Sequence, residues 1–359
     1  MALYDECRAL APELLASLEH ARRSGRLGHA FLIQSGTDRM RGEFAVAVAQ
    51  LAACPDSRDG RPCSVCRVCR QLADGSYPEL HTLTPVGKMY QIQVGDRTNP
   101  EPNTLRSFED RFFLTSTAEA AKKIGVIQDA DRMNAEAQNA LLKTLEEPPP
   151  DTLLLLTSGN PAALLPTTRS RCQPLTLPGN RFEFDFAGSD EVFQALHRLF
   201  FETGGDLGRA EEEAAVLIRI AGALGAEAAE KTERDWEPRL AAASRAGDPA
   251  LVKRLEKQQQ NMADGAYMKS RARFLAAVHT WCAELFLLSQ GASFADLPNP
   301  ECFAGNAPSG SVDPERAAAA LHEAEDLLYT LRFNVGEELA LRTFAVNLAV
   351  KQKEGGNNR

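Results

Sequence analysis

Four of the eight cysteines fall within sixteen residues: Cys54, Cys63, Cys66 and Cys69, spaced C-x8-C-x2-C-x2-C. Four thiolates close a tetrahedron around Zn²⁺ and leave no position for water, so the chemistry on offer is structural rather than hydrolytic. Such a site carries a charge of about −2. Arg61, Arg67 and Arg70 stand beside it, with no acid between residues 61 and 73 to oppose them. The pattern predicts a structural zinc module. Unligated or disulfide-bonded cysteines are the alternative, and a basic zinc knuckle for nucleic acid is the functional rival. Cys7, Cys282 and Cys302 have no ligand spacing and read as ordinary thiols.

A second chemistry is suggested and then withheld by "SGTDRMRGEF" at 35–44, which lies between an apolar run (30–33) and an Ala/Val-rich stretch (45–53). Strand, loop and helix in that order are the setting of a phosphate-binding loop. Counted from Gly36, the pattern G-x-x-x-x-G-K-[ST] needs Gly, Lys and Ser/Thr at 41, 42 and 43, where Arg41, Gly42 and Glu43 stand. The second half of such a site is a strand that ends in an acidic pair. In "KKIGVIQDADRMN" (122–134) those positions hold Gln128 and Asp129. A neutral amide is a poor ligand for a hard dication. With the lysine, the hydroxyl and the metal carboxylate all missing, the segment predicts a degenerate site that binds no ATP. The residues alone leave an ordinary strand–loop–helix equally open.

These groups need elements to hold them. Apolar runs at 29–34, 79–84, 124–128 and 153–157 predict strands, and helical patterns lie at about 6–23, 43–53, 66–74, 103–121 and 134–147. Strands alternating with helices imply an α/β domain with a parallel sheet covered on both faces. Asn134 is a suitable N-cap, and Pro148, Pro149 and Pro150 stop that helix. After "LPGN" (177–180) strand signals nearly vanish. Helical stripes such as Leu321, Ala324, Leu328 and Leu331, then Leu341, Phe344 and Leu348, take over. The expected domains are 1–178, a small helical domain at 179–230 and a larger all-α domain at 231–359. The charged stretch 239–260 reads as a solvated helix face.

A net charge of −9 argues against a surface that grips nucleic acid throughout. No apolar run of membrane-spanning length occurs, and the acidic N-terminus lacks a signal pattern, which predicts a cytoplasmic chain.

The segment "NALLKTLEEPPPDTLLLLTSGNPAALLPTTRSRCQ" (139–173), with "LGHAFLIQSG" (27–36) and the four-cysteine insertion, resembles the bacterial DNA polymerase III clamp-loader family of AAA+ proteins. In that family a helix with LLKTLEEPP is followed by a strand ending in a polar sensor, here Thr157 and Ser158. The L-P-x-T-x-x-S-R-C motif comes next, here Leu165 to Cys172. "NVGEELAL" (334–341) resembles an element of the family's collar. The resemblance implies an AAA+-like sheet domain with a zinc module (54–69), then a helical lid and an all-α collar. The stretch near 231–260 is an apparent insertion. Within the family, the delta-prime type has a degraded nucleotide site.

What the resemblance further implies is a subunit that does not hydrolyse ATP by itself. It would lend Arg171, the arginine of S-R-C, in trans to a neighbouring ATPase while a sliding clamp is set on primed-template DNA. The implied partners are the tau/gamma and delta subunits and the clamp, with no membrane. Cys172 has no His–Asp company and is expected to pack rather than react, and His29 is expected to make a local contact. Two rivals stand beside this reading. A tau/gamma-type ATPase needs a lysine at 42 and an acid at 128; a zinc-dependent DNA-binding adaptor needs a basic, aromatic-bearing surface, in a chain of pI near 5.4.

Overall fold

The computed structural model describes residues 2–34, 37–96, 101–114, 122–178, 184–303, 308, 312–333 and 335–350. Gly36 and Asn334 therefore lie outside the described residues, as do 115–121 of the helix expected at 103–121. The chain divides into two compact units, Met1–Asn180 and Arg181–Arg359.

The first unit is built on five parallel strands: β1 (Ala30–Gln34), β2 (Leu80–Leu83), β3 (Lys123–Ile127), β4 (Thr152–Ser158) and β5 (Gln173–Thr176), in the order β2-β3-β4-β1-β5. Every residue of β3 and β4 is buried, so these strands read as continuous apolar runs, as a sheet covered on both faces requires. Successive side chains go to opposite faces. Phe31, Ile33, Leu153 and Leu155 pack with α1 (Leu3–Leu10), α2 (Pro12–Arg23), α3 (Asp38–Ala53) and α4 (Arg67–Ala73). Ala30, Leu32, Leu154 and Leu156 pack with α5 (Leu105–Phe113) and α6 (Ala135–Glu146). Gly125 in β3 lets α5 settle on the sheet, because a methyl there would come within 2.7 Å of the Phe108 ring.

Several boundaries differ from the sequence reading. The helix expected at 6–23 is two helices, because Pro12 has no N–H to donate and starts a new helix instead. The helix expected from 43 begins at Asp38, where Thr37 caps it by accepting from the Met40 N–H at 3.2 Å. Strand β5, "QPLT", carried no strand signal. Its Pro174 is tolerated because the strand lies at the sheet's edge. A short helix, α7 (Pro166–Ser170), precedes it.

The second unit is helical: α8 (Ser189–Phe201), α9 (Leu207–Arg245), α10 (Pro249–Ser289), α11 (Pro314–Thr330) and α12 (Glu337–Val350). The boundary expected at 178 lies two residues from the division at 180. The one expected at 230 falls inside α9, and residues on both sides, such as Leu217, Trp281 and Leu341, share one core. Among the described residues, the helices from α8 to α12 thus group in one compact unit around one apolar cluster. Helices α9 and α10 form a long hairpin turned by Gly247 at φ 69° and capped by Asp248, which accepts from the Leu251 N–H at 3.0 Å. The charged stretch 239–260 is the tip of this hairpin, beyond the core residues of either helix, which end at Leu224 and resume at Phe274. No helix among the described residues is long and apolar enough to cross a membrane.

Candidate functional site: a self-occupied crevice and a four-sulfur cluster

In an open parallel sheet the ligand crevice lies beyond the C-terminal ends of the strands, where the strand order reverses. Here β1, flanked by β4 and β5, marks that point. The degenerate loop leads from β1 into α3, Asp129 follows β3, and Thr157 and Ser158 end β4. The fold therefore brings together residues that are up to about 120 positions apart in sequence.

Arg41 fills the centre. Its side chain is 5% exposed and contacts Asp38 within the same helix, while Nη2 donates to Asp129 Oδ1 at 3.1 Å. Asp129 is held from two further sides. The Tyr90 hydroxyl donates to Oδ2 at 2.6 Å, and the Asp129 N–H donates to Thr157 Oγ1 at 3.1 Å. Asp129 is left-handed at φ 46°, a conformation that Asp tolerates better than most residues. Burial, and then the Asp129 charge, push the Tyr90 phenol above its ordinary range, so it remains a proton donor. Beside this network Ser158 donates to Asp131 at 2.7 Å and accepts from the Asn160 N–H at 3.1 Å. The guanidinium also lies against Gly159, where a methyl would come within 3.2 Å of Nη1.

The chemistry of the crevice is thus internally paired: one guanidinium lies between two carboxylates, which leaves the trio net negative. The first turn of α3, where an anion would meet the helix dipole, carries Asp38 and is capped by Thr37. Glu43, at the position where the phosphate-loop pattern needs Ser/Thr, pairs with Arg39 at 2.8 Å one turn away. Gly42 lies inside the helix, where a side chain would meet nothing within 4 Å. Gln128 is half-buried, and its backbone N–H is taken by the Leu83 carbonyl at 2.9 Å. The sequence reading named Arg41 and Asp129 but missed Tyr90, which no local pattern links to either.

The four cysteines converge as the spacing predicts. Their sulfurs all lie within 4.8 Å of one another, with Cys54 and Cys63 Sγ 3.6 Å apart. A tetrahedral Zn²⁺ with bonds of about 2.3 Å needs sulfurs about 3.8 Å apart. Backbone N–H groups of Cys63, Cys66 and Cys69 donate to Cys54, Cys63 and Cys66 Sγ at 3.3, 3.2 and 3.4 Å, an arrangement that favours thiolate. Burial works to raise the Cys63 thiol, but N–H groups of Val65 and Cys66 outweigh it and bring it to about 7. The donor set fits a metal ion, and Cys66 also serves as the N-cap of α4.

Arg171 ends α7 on the surface. Its Nε donates to Glu146 Oε1 at 2.8 Å and its Nη1 to the Thr167 carbonyl at 2.9 Å. Cys172, one residue on, is buried, and that burial pushes its thiol up to about 12, as expected of a packing residue. His29 Nε2 lies 3.0 Å from the Leu145 carbonyl oxygen, a tertiary contact with the end of α6 rather than a local one.

Residues 10–181 match the family model described as DNA polymerase III, delta subunit. DNA polymerase III subunit delta' of Bacillus subtilis (strain 168) is 34% identical over 177 residues, covering 48% of this chain and 49% of the relative. The same subunit of Pseudomonas aeruginosa is 32% identical over 209 residues, 56% of this chain and 58% of the relative. Subunit tau of Bacillus subtilis is 24% identical over 183 residues, 51% of this chain and 29% of the relative. The match with the delta' relatives spans about half of their length. Residues 10–181, which contain the sheet, the crevice and the sulfur cluster, are thus the part of the chain that is similar to the delta' subunits of bacterial DNA polymerase III.

Proposed function

We propose that the chain is a delta-prime-type subunit of the DNA polymerase III clamp loader that neither binds nor hydrolyses ATP. It acts as a stator in the assembly, with tau/gamma and delta subunits as partners, and helps to place the sliding clamp on primed-template DNA. The cysteine cluster holds a structural Zn²⁺, and the helical unit supplies the collar contacts. The observation that carries the reading is the Arg41–Asp129 ion pair. A cation supplied by the chain itself sits among the carboxylates where a working ATPase would need an unblocked loop, a lysine and a metal ligand. The same pair disfavours the tau/gamma-type ATPase.

Arg171 is the group offered to the neighbour. Its ion pair with Glu146 is half exposed, and such pairs contribute only about 0–1 kcal/mol. Giving up that contact for a phosphoryl oxygen is therefore inexpensive. Facing a γ-phosphate across an interface, a guanidinium stabilises charge that develops during transfer, worth roughly 10³–10⁵ in rate in other systems. The experiment is reconstitution with the partner subunits, clamp and primed DNA. Arg171→Ala should assemble normally yet lower ATP turnover and clamp loading, whereas Arg169→Ala should behave as wild type. Arg171→Lys should rescue poorly, because an ammonium cannot fork across two oxygens. Equal clamp loading by both alanine variants would remove Arg171 from this role.

A further inference from the structure

Away from the crevice, α1, α2 and the loop between Cys54 and Cys63 border an open cavity of about 760 Å³. Four arginines line it, Arg8, Arg23, Arg58 and Arg61, against two carboxylates, Glu19 and Asp59. Such an excess of cation in a chain of net charge −9 is local and has a specific construction.

The first part of that construction is a turn. The Arg58 N–H donates to the Arg61 carbonyl at 3.0 Å, and the Arg61 N–H returns to the Arg58 carbonyl at 2.9 Å. Between them Asp59 (φ 51°) and Gly60 (φ 79°) are both left-handed, the signature of a type I′ hairpin turn. Residues paired this way send their side chains to the same face, so Arg58 and Arg61 point together. The turn is pressed onto α2. A methyl at Gly60 would lie 2.2 Å from the Glu19 carbonyl oxygen, so only glycine allows the approach.

The second part is Glu19, which is buried at 5% exposure. Its Oε1 accepts from the Tyr4 hydroxyl at 3.1 Å and Arg8 Nε at 3.0 Å, and its Oε2 accepts from Arg61 Nε at 3.1 Å. One carboxylate thus fixes two guanidinium groups. Arg23 and Arg58 make no ion pair with any described residue, so two forks are left without a counter-charge.

We propose that this cavity is an oxyanion site that takes the phosphodiester backbone of a nucleic acid, without reading its bases. Guanidinium forks match adjacent phosphoryl oxygens. No aromatic residue lines the cavity, so bases have nothing to stack on and binding is insensitive to sequence. The uncharged lining is Ala16, Pro62 and Cys63, too little apolar surface to anchor the side chains of an acidic peptide. Arg67 and Arg70 belong to the helix that carries Cys69 and lie outside the lining, where they can offset the thiolate charge.

The test uses the full chain purified without chelator and two probes: a short mixed-sequence DNA duplex and inorganic tripolyphosphate. The variants are Arg23→Ser with Arg58→Ser, Arg58→Ser alone, and Arg26→Ser as a control outside the cavity. Wild type and control should bind the duplex alike. The double variant should bind at least tenfold more weakly, with a log K against log salt slope shallower by about 2. Arg58→Ser should give about half that change in slope. It sits on the exposed turn, whereas the Arg23 stem packs near Gly60, so its effect stands even if the double variant folds poorly. Tripolyphosphate binding that depends on the same arginines, without duplex binding, supports the oxyanion site and identifies a free polyphosphate as its source. Unchanged binding of both probes by Arg58→Ser and by the double variant overturns the proposal. So does failure of the wild type to bind either probe.

Discussion

Arginine cannot shed its proton inside a protein, so Arg41, buried at the end of the sheet, depends on the carboxylates it reaches. Asp129→Asn keeps the shape, and the left-handed backbone that Asn also tolerates, while removing one of those charges. Breaking a buried pair costs about 3–5 kcal/mol, because the remaining ion is left uncompensated. With Asp38 still in contact, the loss should be about 3 kcal/mol. Arg41→Met with Asp129→Asn should cost clearly less than the sum of the single changes, since the two groups no longer depend on each other. Urea unfolding of the four proteins measures this coupling, and additive losses would mean that the pair does not interact. The site was legible in sequence only where chemistry is local. Four cysteines at metal-ligand spacing announce themselves. Arg41 finds Asp129, and Asp129 finds Tyr90, only after folding, from 88 and 39 positions away. The start of α3 was not legible either: it lies five residues before the apolar run suggests, where Thr37 caps it.

Among the elements, β1, β3 and β4 could be read because each is a continuous apolar run closed by polar residues. Strand β5 could not, since it has one buried residue and a proline, and its pairing with β1 is a tertiary fact. Helix α4 shows a different dependence. At seven residues it is too short to persist by its own propensity. Its N-cap is the Cys66 sulfur and its first turn contains Cys69, so the metal would tie the helix to Cys54 and Cys63. Structural zinc contributes folding free energy directly. Elemental analysis of protein purified without chelators should find about one zinc per chain. Cys63→Ser should lower the melting temperature of the first unit by on the order of 10 °C, taking a loss of about 3 kcal/mol and roughly 2–4 °C per kcal/mol for a domain of this size. Cys282→Ser, in the core of the helical unit, should leave that transition in place. Absence of metal from the purified chain would remove the module from the account.

At the scale of the whole chain, the described apolar cores are separate: the two faces of the sheet belong to the first unit and one helical cluster to the second, with no residue in common. Domains with cores of their own unfold as distinct cooperative units, so calorimetry should resolve two transitions. This separation makes the nucleotide question answerable without any partner. A ligand that binds only the folded state raises stability by RT ln(1 + [L]/Kd), about 2.7 kcal/mol at one hundred times Kd. An ATPase with micromolar affinity would therefore shift the first transition upward by several degrees in millimolar Mg-ATP. With Arg41 and its carboxylates occupying the crevice, neither transition should move. Chelation, by contrast, should lower the first transition and leave the second where it was, which shows that the assay can detect a ligand on the sheet-bearing unit. A shift of the first transition by Mg-ATP would mean that the Arg41–Asp129 pair opens for nucleotide. The reading of a subunit that serves its neighbour's site rather than its own would then give way to that of a working ATPase.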